Sequence, residues 1–345
     1  MTFAAALGFV GVGLWAWLRD WSRRTTYGAL FLWWAAVVLG TRQRGEAGAD
    51  MLRFWLAFGL ITALALGYGE AVRAIRRRKL PPAAPPAPGS FSEVELQRYA
   101  RHILLREIGG PGQKRLKSAR VLVVGAGGLG SPALMYLAAA GVGTIGVIDA
   151  DQVEGSNLQR QIIHSDARIG MPKVFSAELA MKALNPFITV RPYRRKLDET
   201  NALALVAEHD LVLDGTDDFD TRYLVNRACV AAGVPLVSGA ITQWEGQVSL
   251  FHPAGGAPCY ACVFPVKPAD GLVPACAVAG VAAPLPGVIG SMMAMEAVKH
   301  LTGAGQTLSG RLMIHDALFA ETRVIGVKPR PDCPVCGSGI DRAAP

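Results

Sequence analysis

Residues 121–124, Val-Leu-Val-Val, run straight into Gly-Ala-Gly-Gly-Leu-Gly and then into an apolar stretch from Leu129 to Ala140. A short apolar run, a glycine turn and a helix in that order describe one half of a βαβ unit, and Thr144 to Ile148 supplies its second strand. Further strands are expected at 188–193, 211–214, 235–239 and 246–252, with helices at 173–184, 199–208 and 218–232. Alternation of this kind builds an α/β protein with a Rossmann-like, doubly wound, mostly parallel sheet. Upstream, Ser92 followed by Glu95 is a capping box, and Leu96, Tyr99, Ile103 and Leu104 recur at helical spacing, so a helix is expected to about Ile108 and a second short one after Gly112.

The glycine turn carries chemistry. Gly125, Gly127 and Gly130 form G-x-G-x-x-G, with Gly128 inside it, and such a turn lets backbone amides close on phosphates at a helix N-terminus. Asp149 ends the next strand, where a carboxylate meets a ribose hydroxyl. The motif alone reads as an adenine-nucleotide site, with NAD its commonest owner and a purely structural turn the bland alternative. Asn157, Arg160 and Lys173 follow within 25 residues of Asp149. A pyrophosphate held by amides does not need that many cations, whereas a triphosphate does. Asp217, at the expected C-terminal edge of a strand in LVLDGTDD, is placed to hold Mg²⁺ between phosphates.

The other end of the chain is of a different character. Three apolar runs, 1–18, about 25–41 and 51–69, each approach the ~20 residues that cross a bilayer. Six of the seven tryptophans fall within residues 1–80, many near the run ends, as expected of indoles at headgroup level. Three membrane-spanning helices are the expectation, although the second run is short and the third contains Arg53. Residues 1–80 hold 11 basic and 4 acidic side chains, so they supply +7 of the formal +8. The remaining 24 basic and 23 acidic groups balance, which excludes the basic footprint of a nucleic-acid binder. Arg19, Arg23 and Arg24, and then Arg73, Arg76, Arg77, Arg78 and Lys79, belong inside by the positive-inside rule. The expected localisation is a multi-pass membrane protein whose C-terminal domain lies in the cytoplasm. LPPAAPPAPG at 80–89, with five prolines, reads as a polyproline II spacer. The domains are therefore a membrane region at 1–80, a Pro-rich linker at 81–91 and a globular domain at 92–345.

All six cysteines lie beyond residue 228. Cys259-x-x-Cys262 and Cys333-x-x-Cys336 are two pairs at the spacing with which short knuckles supply corners of a tetrahedral Zn²⁺ site. A lone pair would equally suit redox chemistry. Cys229, in an apolar helix, reads as a core thiol. The histidines at 102, 164, 209, 252, 300 and 315 are scattered and read as surface or core residues.

Residues 92 to about 337 resemble the MoeB/ThiF/HesA adenylyltransferases, bacterial relatives of ubiquitin-activating enzymes. The resemblance lies in RYARHILLREIG, VLVVGAGGLGSPALMYLAAAGVG, DADQVEGSNLQRQIIHSDARIGMPK, HDLVLDGTDDFDTRYLVN, PLVSGAITQWEGQVSLF, GVIGSMMAMEAVK and PDCPVCG. It implies a cytoplasmic homodimer that uses ATP to adenylate the C-terminal Gly-Gly carboxylate of a ubiquitin-like sulfur-carrier protein, for molybdopterin or thiamine type sulfur transfer. It further implies that Asp149 holds the ribose, that Asn157, Arg160 and Lys173 hold phosphates, and that Asp217 holds Mg²⁺. Arg101 would reach the γ-phosphate from the partner subunit, and the four paired cysteines would hold a structural zinc. Cys276 matches a cysteine linked with thiol chemistry on the carrier, but the following Ala-Val-Ala-Gly lacks an acidic residue often seen there, so a spectator thiol is the equal alternative.

Chemistry supports the resemblance. A carboxylate attacking the α-phosphorus brings one anion to another, so cations must neutralise the triphosphate, and no general base is needed at pH 7. The competing readings are an NAD-dependent oxidoreductase, opposed by the Asn157, Arg160 and Lys173 set, a membrane-tethered binding module without catalysis, and a tRNA-modifying relative on the same fold.

Overall fold

The computed structural model describes residues 11, 14–15, 23–42, 49–78, 90–268 and 280–337. It divides into two compact units, Met1–Pro85 and Pro86–Pro345.

The first unit contains α1 (Arg23–Arg42) and α2 (Ala49–Arg78). They form an antiparallel pair: Tyr27 Oη donates to Glu70 Oε1 near one end, and Trp34 Nε1 donates to the Trp55 carbonyl at 2.8 Å nearer the other. Trp55 is buried against Trp33, with ring centroids 6.0 Å apart, while Phe31, Leu32, Leu60, Ile61 and Leu64 face outward. Such an apolar exterior suits lipid better than water. The expectation of three membrane spans is corrected here. Among the described residues one helical segment, Ala49–Val72, is long and apolar enough to cross a bilayer. The run at 25–41 lies within α1, where the stretch between Arg24 and Arg42 rises only about 26 Å against a hydrocarbon core of about 30 Å. The run at 1–18 lies outside the described residues apart from 11, 14 and 15. A multi-pass arrangement is therefore not what the described helices support.

The second unit opens with α3 (Glu93–Ile103). Its capping box is formed: the Ser92 amide donates to Glu95 Oε2 at 2.9 Å, and the Glu95 amide donates to Ser92 Oγ. The helix ends at Ile103 rather than 108, and α4 (Gly109–Ser118) starts before Gly112 rather than after it. Pro111 explains the earlier start, because a proline is accommodated in a first helical turn, where no amide partner is needed. Lys117 of α4 reaches back to Glu95 Oε1 at 2.5 Å and ties the two helices together.

The sheet then follows: β1 (Arg120–Val124), α5 (Gly130–Ala140), β2 (Thr144–Ile148), α6 (Lys173–Leu184), β3 (Thr189–Tyr193), α7 (Ala202–Ala207), β4 (Leu211–Asp214), α8 (Phe219–Ala232) and β5 (Leu236–Ile241). After it come β6 (Glu245–Phe251), α9 (Tyr260–Val263), α10 (Leu285–Thr302), β7 (Arg311–Asp316) and β8 (Glu321–Gly326). The strand order is β3-β2-β1-β4-β5-β6-β7-β8. The first five strands are parallel and the last three pair antiparallel, so the sheet is mixed, with its parallel part at the β3 side. The three-residue turn from β5 to β6 can only reverse the chain, which explains the change.

β1 is an interior strand, and after exposed Arg120 it is apolar from Val121 to Val124 because both its faces are covered. Val121 and Val123 enter the core formed with Leu134, Leu137 and Met293, while Leu122 and Val124 enter the opposite core with Leu205, Val225 and Phe251. After β3 the chain returns to the other side of β1, so the segments that leave the paired carboxyl ends of β1 and β4 pass to opposite faces of the sheet and leave a crevice between them.

Burial works against the charge on Glu95, but Lys117 and the Ser92 amide and hydroxyl outweigh it and hold the carboxyl below its ordinary value. A depressed carboxylate stabilises the fold above its unfolded pKa of about 4.3, and that contribution fades as pH falls through the folded value. Ser92→Ala should cost about 1 kcal/mol at pH 7 in denaturant unfolding of the second unit, with the difference from wild type shrinking below about pH 4. An undiminished difference at pH 3 would count against the carboxylate's share.

Candidate functional site

The crevice is a cleft of about 830 Å³ lined by the loops after β1, β2, β3 and β4. That volume suits a nucleotide-sized ligand. Its floor is the glycine turn. Gly125 adopts φ +93°, a conformation that L side chains rarely take, and a Cβ on Gly130 would lie 2.0 Å from the Gly125 carbonyl oxygen. Glycine at both places lets the start of α5 close on the end of β1.

Asp149 lines the cleft, but it also organises the loops around it. Its Oδ2 accepts the Ala126 amide and its Oδ1 accepts the Asp151 amide, each at 2.8 Å. A carboxylate has acceptor capacity beyond two amides, so a ribose hydroxyl can still be received there.

Asn157, Arg160 and Lys173 all line the same cleft, as do Gly125, Gly127, Gly128 and Asp217. Asn157 closes a short 3-10 turn, Gly155–Asn157, and its Oδ1 accepts from Arg160 Nη2 at 2.9 Å, which points the guanidinium's anchor. Lys173 begins α6 with its side chain only 6% exposed, and its ammonium meets Asp151 Oδ2 at 2.8 Å. The buried ammonium thus has a partner on the solvent side that an anionic ligand can replace or join. Asp217 is exposed in the loop after β4 and has no hydrogen-bond or ion-pair partner among the described residues. Its neighbour Asp218 is engaged instead as the N-cap of α8, where Oδ2 accepts the Thr221 amide and hydroxyl. Burial raises the Asp218 carboxyl, and these donors overcome it to leave the group below its usual value.

Several cleft residues escaped the sequence reading. Arg222, 4% exposed, pairs with fully buried Asp214 at 3.7 Å and donates to Ser238 Oγ and to the Thr216 carbonyl. Asp214 in turn accepts the Thr216 hydroxyl at 2.7 Å and the Ser238 hydroxyl at 3.0 Å. This buried network fixes the β4 loop that carries Asp217. Its sequence signal was weak, since an arginine four residues after an N-capping aspartate usually solvates a helix. Arg195 and Lys196 also line the cleft, and their position just past β3, where open sheets bind ligands, could have identified them. Tyr223, Tyr260 and Phe264 form an aromatic wall, with Tyr260 5.3 Å from Tyr223 and 4.7 Å from Phe264 between ring centroids.

Arg101 does not line its own chain's cleft; it is exposed near the C-terminal end of α3. Arg98, one turn earlier, is tied to its own unit by a hydrogen bond to the Leu184 carbonyl at 2.6 Å. Cys276 lies outside the described residues. Cys229 is buried in the core, and burial pushes its thiol up.

The two cysteine pairs do come together. The four Sγ atoms of Cys259, Cys262, Cys333 and Cys336 lie within 4.8 Å of one another, with separations of 3.8, 3.6 and 3.3 Å for 259–262, 259–333 and 262–336. Tetrahedral thiolates at about 2.3 Å from Zn²⁺ stand about 3.8 Å apart, so the donor set fits zinc. The Arg330 amide donates to Cys262 Sγ, a contact suited to a thiolate ligand. Burial pushes Cys336 up to about 11, and a bound cation would reverse that.

The family model described as "ThiF family" matches residues 99–335. The chain is 48% identical over 250 residues to the SAMP-activating enzyme E1 of Haloferax volcanii, covering 72% of this chain and 92% of that one. It is 50% identical over 251 residues to the sulfur carrier protein adenylyltransferase of Thermus thermophilus, covering 72% and 93%. It is 48% identical over 247 residues to the molybdopterin-synthase adenylyltransferase of Escherichia coli, covering 72% and 98%. Among solved structures, Escherichia coli MccB with MccA-N7isoASN superposes with a TM-score of 0.63 at 24% identity, covering 73% of this chain and 77% of that one, a likeness of fold.

Purified protein should contain about one Zn²⁺ per chain by elemental analysis, and Cys333→Ser should lose it together with several degrees of Tm, because a structural metal contributes folding free energy. A metal-free preparation of undiminished Tm would contradict the assignment.

Proposed function

The chain belongs to the ThiF family, and we infer from that and from its cleft that it is an ATP-dependent adenylyltransferase acting on the C-terminal Gly-Gly carboxylate of a ubiquitin-like sulfur carrier. The observation that carries this reading is the meeting of the glycine turn, Asn157, Arg160, Lys173 and an unpartnered Asp217 in one cleft.

The roles follow from charge. A carrier carboxylate oxygen attacks the α-phosphorus, a bond forms between them, and the bond from that phosphorus to the bridging oxygen breaks with departure of pyrophosphate. The carboxylate is already ionised at pH 7, so no proton is removed. Lys173 and Arg160 lie where they would offset charge on the attacked phosphate and the leaving group, and Asn157 holds Arg160 in place. Gly127 and Gly128 present backbone to the phosphates, and Asp149 receives the ribose. Mg²⁺, when bound at Asp217, would neutralise phosphate oxygens as a Lewis acid. The buried Asp214 and Arg222 pair holds the Asp217 loop in position.

Residues 92–345 form the catalytic domain in this reading, joined by the linker at 81–91 to a membrane region at 1–80. Ala49–Val72 is the anchor, and the basic run from Arg73 to Lys79 after it favours the catalytic domain on the cytoplasmic face. The enzyme works as a homodimer, in which exposed Arg101 reaches the partner subunit's cleft. The zinc of Cys259, Cys262, Cys333 and Cys336 is structural.

Two measurements test the reading. ATP–pyrophosphate exchange should depend on a Gly-Gly-terminated carrier, and Asp217→Ala should lower it by roughly 10² or more. Unchanged exchange in that variant would remove Asp217 from the metal site. If Arg101→Ala and Asp217→Ala are each inactive, mixing equal amounts with subunit exchange should restore about a quarter of wild-type activity, since about half the dimers are mixed and each holds one intact site. Persistent inactivity despite demonstrated exchange would confine Arg101 to its own chain.

A further inference from the structure

His164 is buried between the glycine turn and α6, away from the direct lining of the cleft. Its Nε2 lies 2.9 Å from the Ala126 carbonyl oxygen and its Nδ1 lies 2.9 Å from Ser176 Oγ. A carbonyl can only accept, so Nε2 carries the proton. In the neutral ring Nδ1 is then bare and accepts the Ser176 hydroxyl. Arg168 Nη1 donates to the Ser176 carbonyl at 2.6 Å and to Ser176 Oγ at 3.2 Å. Every donor thus points the same way, from Arg168 through Ser176 and His164 to Ala126.

Ala126 is held from two sides. Its amide is bound by Asp149, which fixes the peptide before it, and its carbonyl is bound by His164, which fixes the peptide after it. That second peptide contains the Gly127 N–H. All peptides described are trans, and a trans peptide sends its carbonyl and its N–H in opposite directions. A carbonyl pinned inward on His164 therefore turns the Gly127 N–H outward, and Gly127 lines the cleft. Gly127, on one flank of this peptide, has no side chain to resist a flip.

We propose that His164 is a positioning residue for ATP: as a neutral imidazole protonated on Nε2, it latches the Ala126–Gly127 peptide with the Gly127 amide aimed at the nucleotide phosphates. The proposal rests on the adenylation reading for its ligand, and on the hydrogen bonds above for its geometry. The charged groups around the ring agree with a neutral state. Burial acts first to lower its pKa, and Lys173 of α6 and Arg168 of the preceding turn add to this, while the Ala126 carbonyl and Asp149 oppose it, with a net lowering.

Asparagine and glutamine separate the latch from mere packing. The amide nitrogen of Gln reaches about where Nε2 stands and can still donate to Ala126, whereas that of Asn reaches about where Nδ1 stands and cannot. In the full-length protein in detergent, equilibrium binding of Mg-ATP should be within about threefold of wild type for His164→Gln and weaker by about tenfold or more for His164→Asn. The two variants should have similar Tm. An Asn variant that binds ATP as tightly as the Gln variant overturns the latch, while carrier-dependent exchange in wild type would leave adenylation standing. Histidine ¹⁵N spectra of the wild-type protein give a second measure that needs no ligand. The His164 resonances, assigned by their loss in His164→Gln, should show the neutral Nε2–H tautomer at pH 7, and an Nδ1–H tautomer or an imidazolium there would equally overturn it. A wild-type protein that binds no ATP would refute the adenylation reading instead, and the tautomer would still decide the latch.

Discussion

The amide of Ala126 and the carboxylate of Asp149 make the contact on which the rest of the site depends. It joins the loop after β1 to the end of β2, two adjacent parallel strands whose carboxyl ends must stay in register for one ligand to touch both. Parallel strands bring their carboxyl ends to one edge, and the return of the chain to the other side of β1 keeps that edge open between β1 and β4. The close approach of Gly130 to the Gly125 carbonyl then holds the glycine turn, with the Gly127 and Gly128 amides, at the crevice floor. A side chain at Gly130 would separate helix from strand, and no change elsewhere in the cleft would restore the amides to their place.

The site's electrostatics are local. Beyond residue 80 the chain has 24 basic and 23 acidic groups, so the net charge of this part supplies no long-range field for phosphate. Arg160, Lys173, Arg195 and Lys196 instead line one cavity, where several of the protein's own anions are occupied. Asp151 is paired with Lys173, Asp218 with the start of α8 and Asp214 with Arg222. Asp217 is the acidic group in the β4 loop left without such a partner among the described residues, and that is the condition under which a carboxylate is available to a hard cation.

Much of this was legible in the sequence where local chemistry decides the outcome. The βαβ unit, the glycine turn, α6 and the paired cysteines follow from short-range spacing, and of the residues expected to bind nucleotide all but Gly130, which packs helix on strand, line one cleft, with Arg101 standing apart from it. What was not legible depends on tertiary placement. Nothing within Phe219–Ala232 marks Arg222 as buried, because its partners come from β4 and β5. Every residue of β8 is exposed, and the apolar alternation that identifies a half-buried strand is missing from it. The reversal at β6 was hidden for another reason, since a buried parallel strand and a buried antiparallel one have the same composition. Membrane spans were overcounted because apolar composition was weighed without the length left between flanking arginines.

His164 shows how far a residue type can mislead. A histidine near a phosphate site suggests a base or a cation, and adenylation of a carboxylate needs no base. The structure instead gives this ring a carbonyl on one nitrogen and a hydroxyl on the other, an arrangement in which a neutral imidazole satisfies both neighbours. An imidazolium would add a charge beside Lys173 and Arg168, two cations already close to the ring. Neutrality is therefore what makes the residue compatible with its position: it supplies a directed donor to the phosphate loop while leaving the count of charges in the cleft to the groups that face the nucleotide.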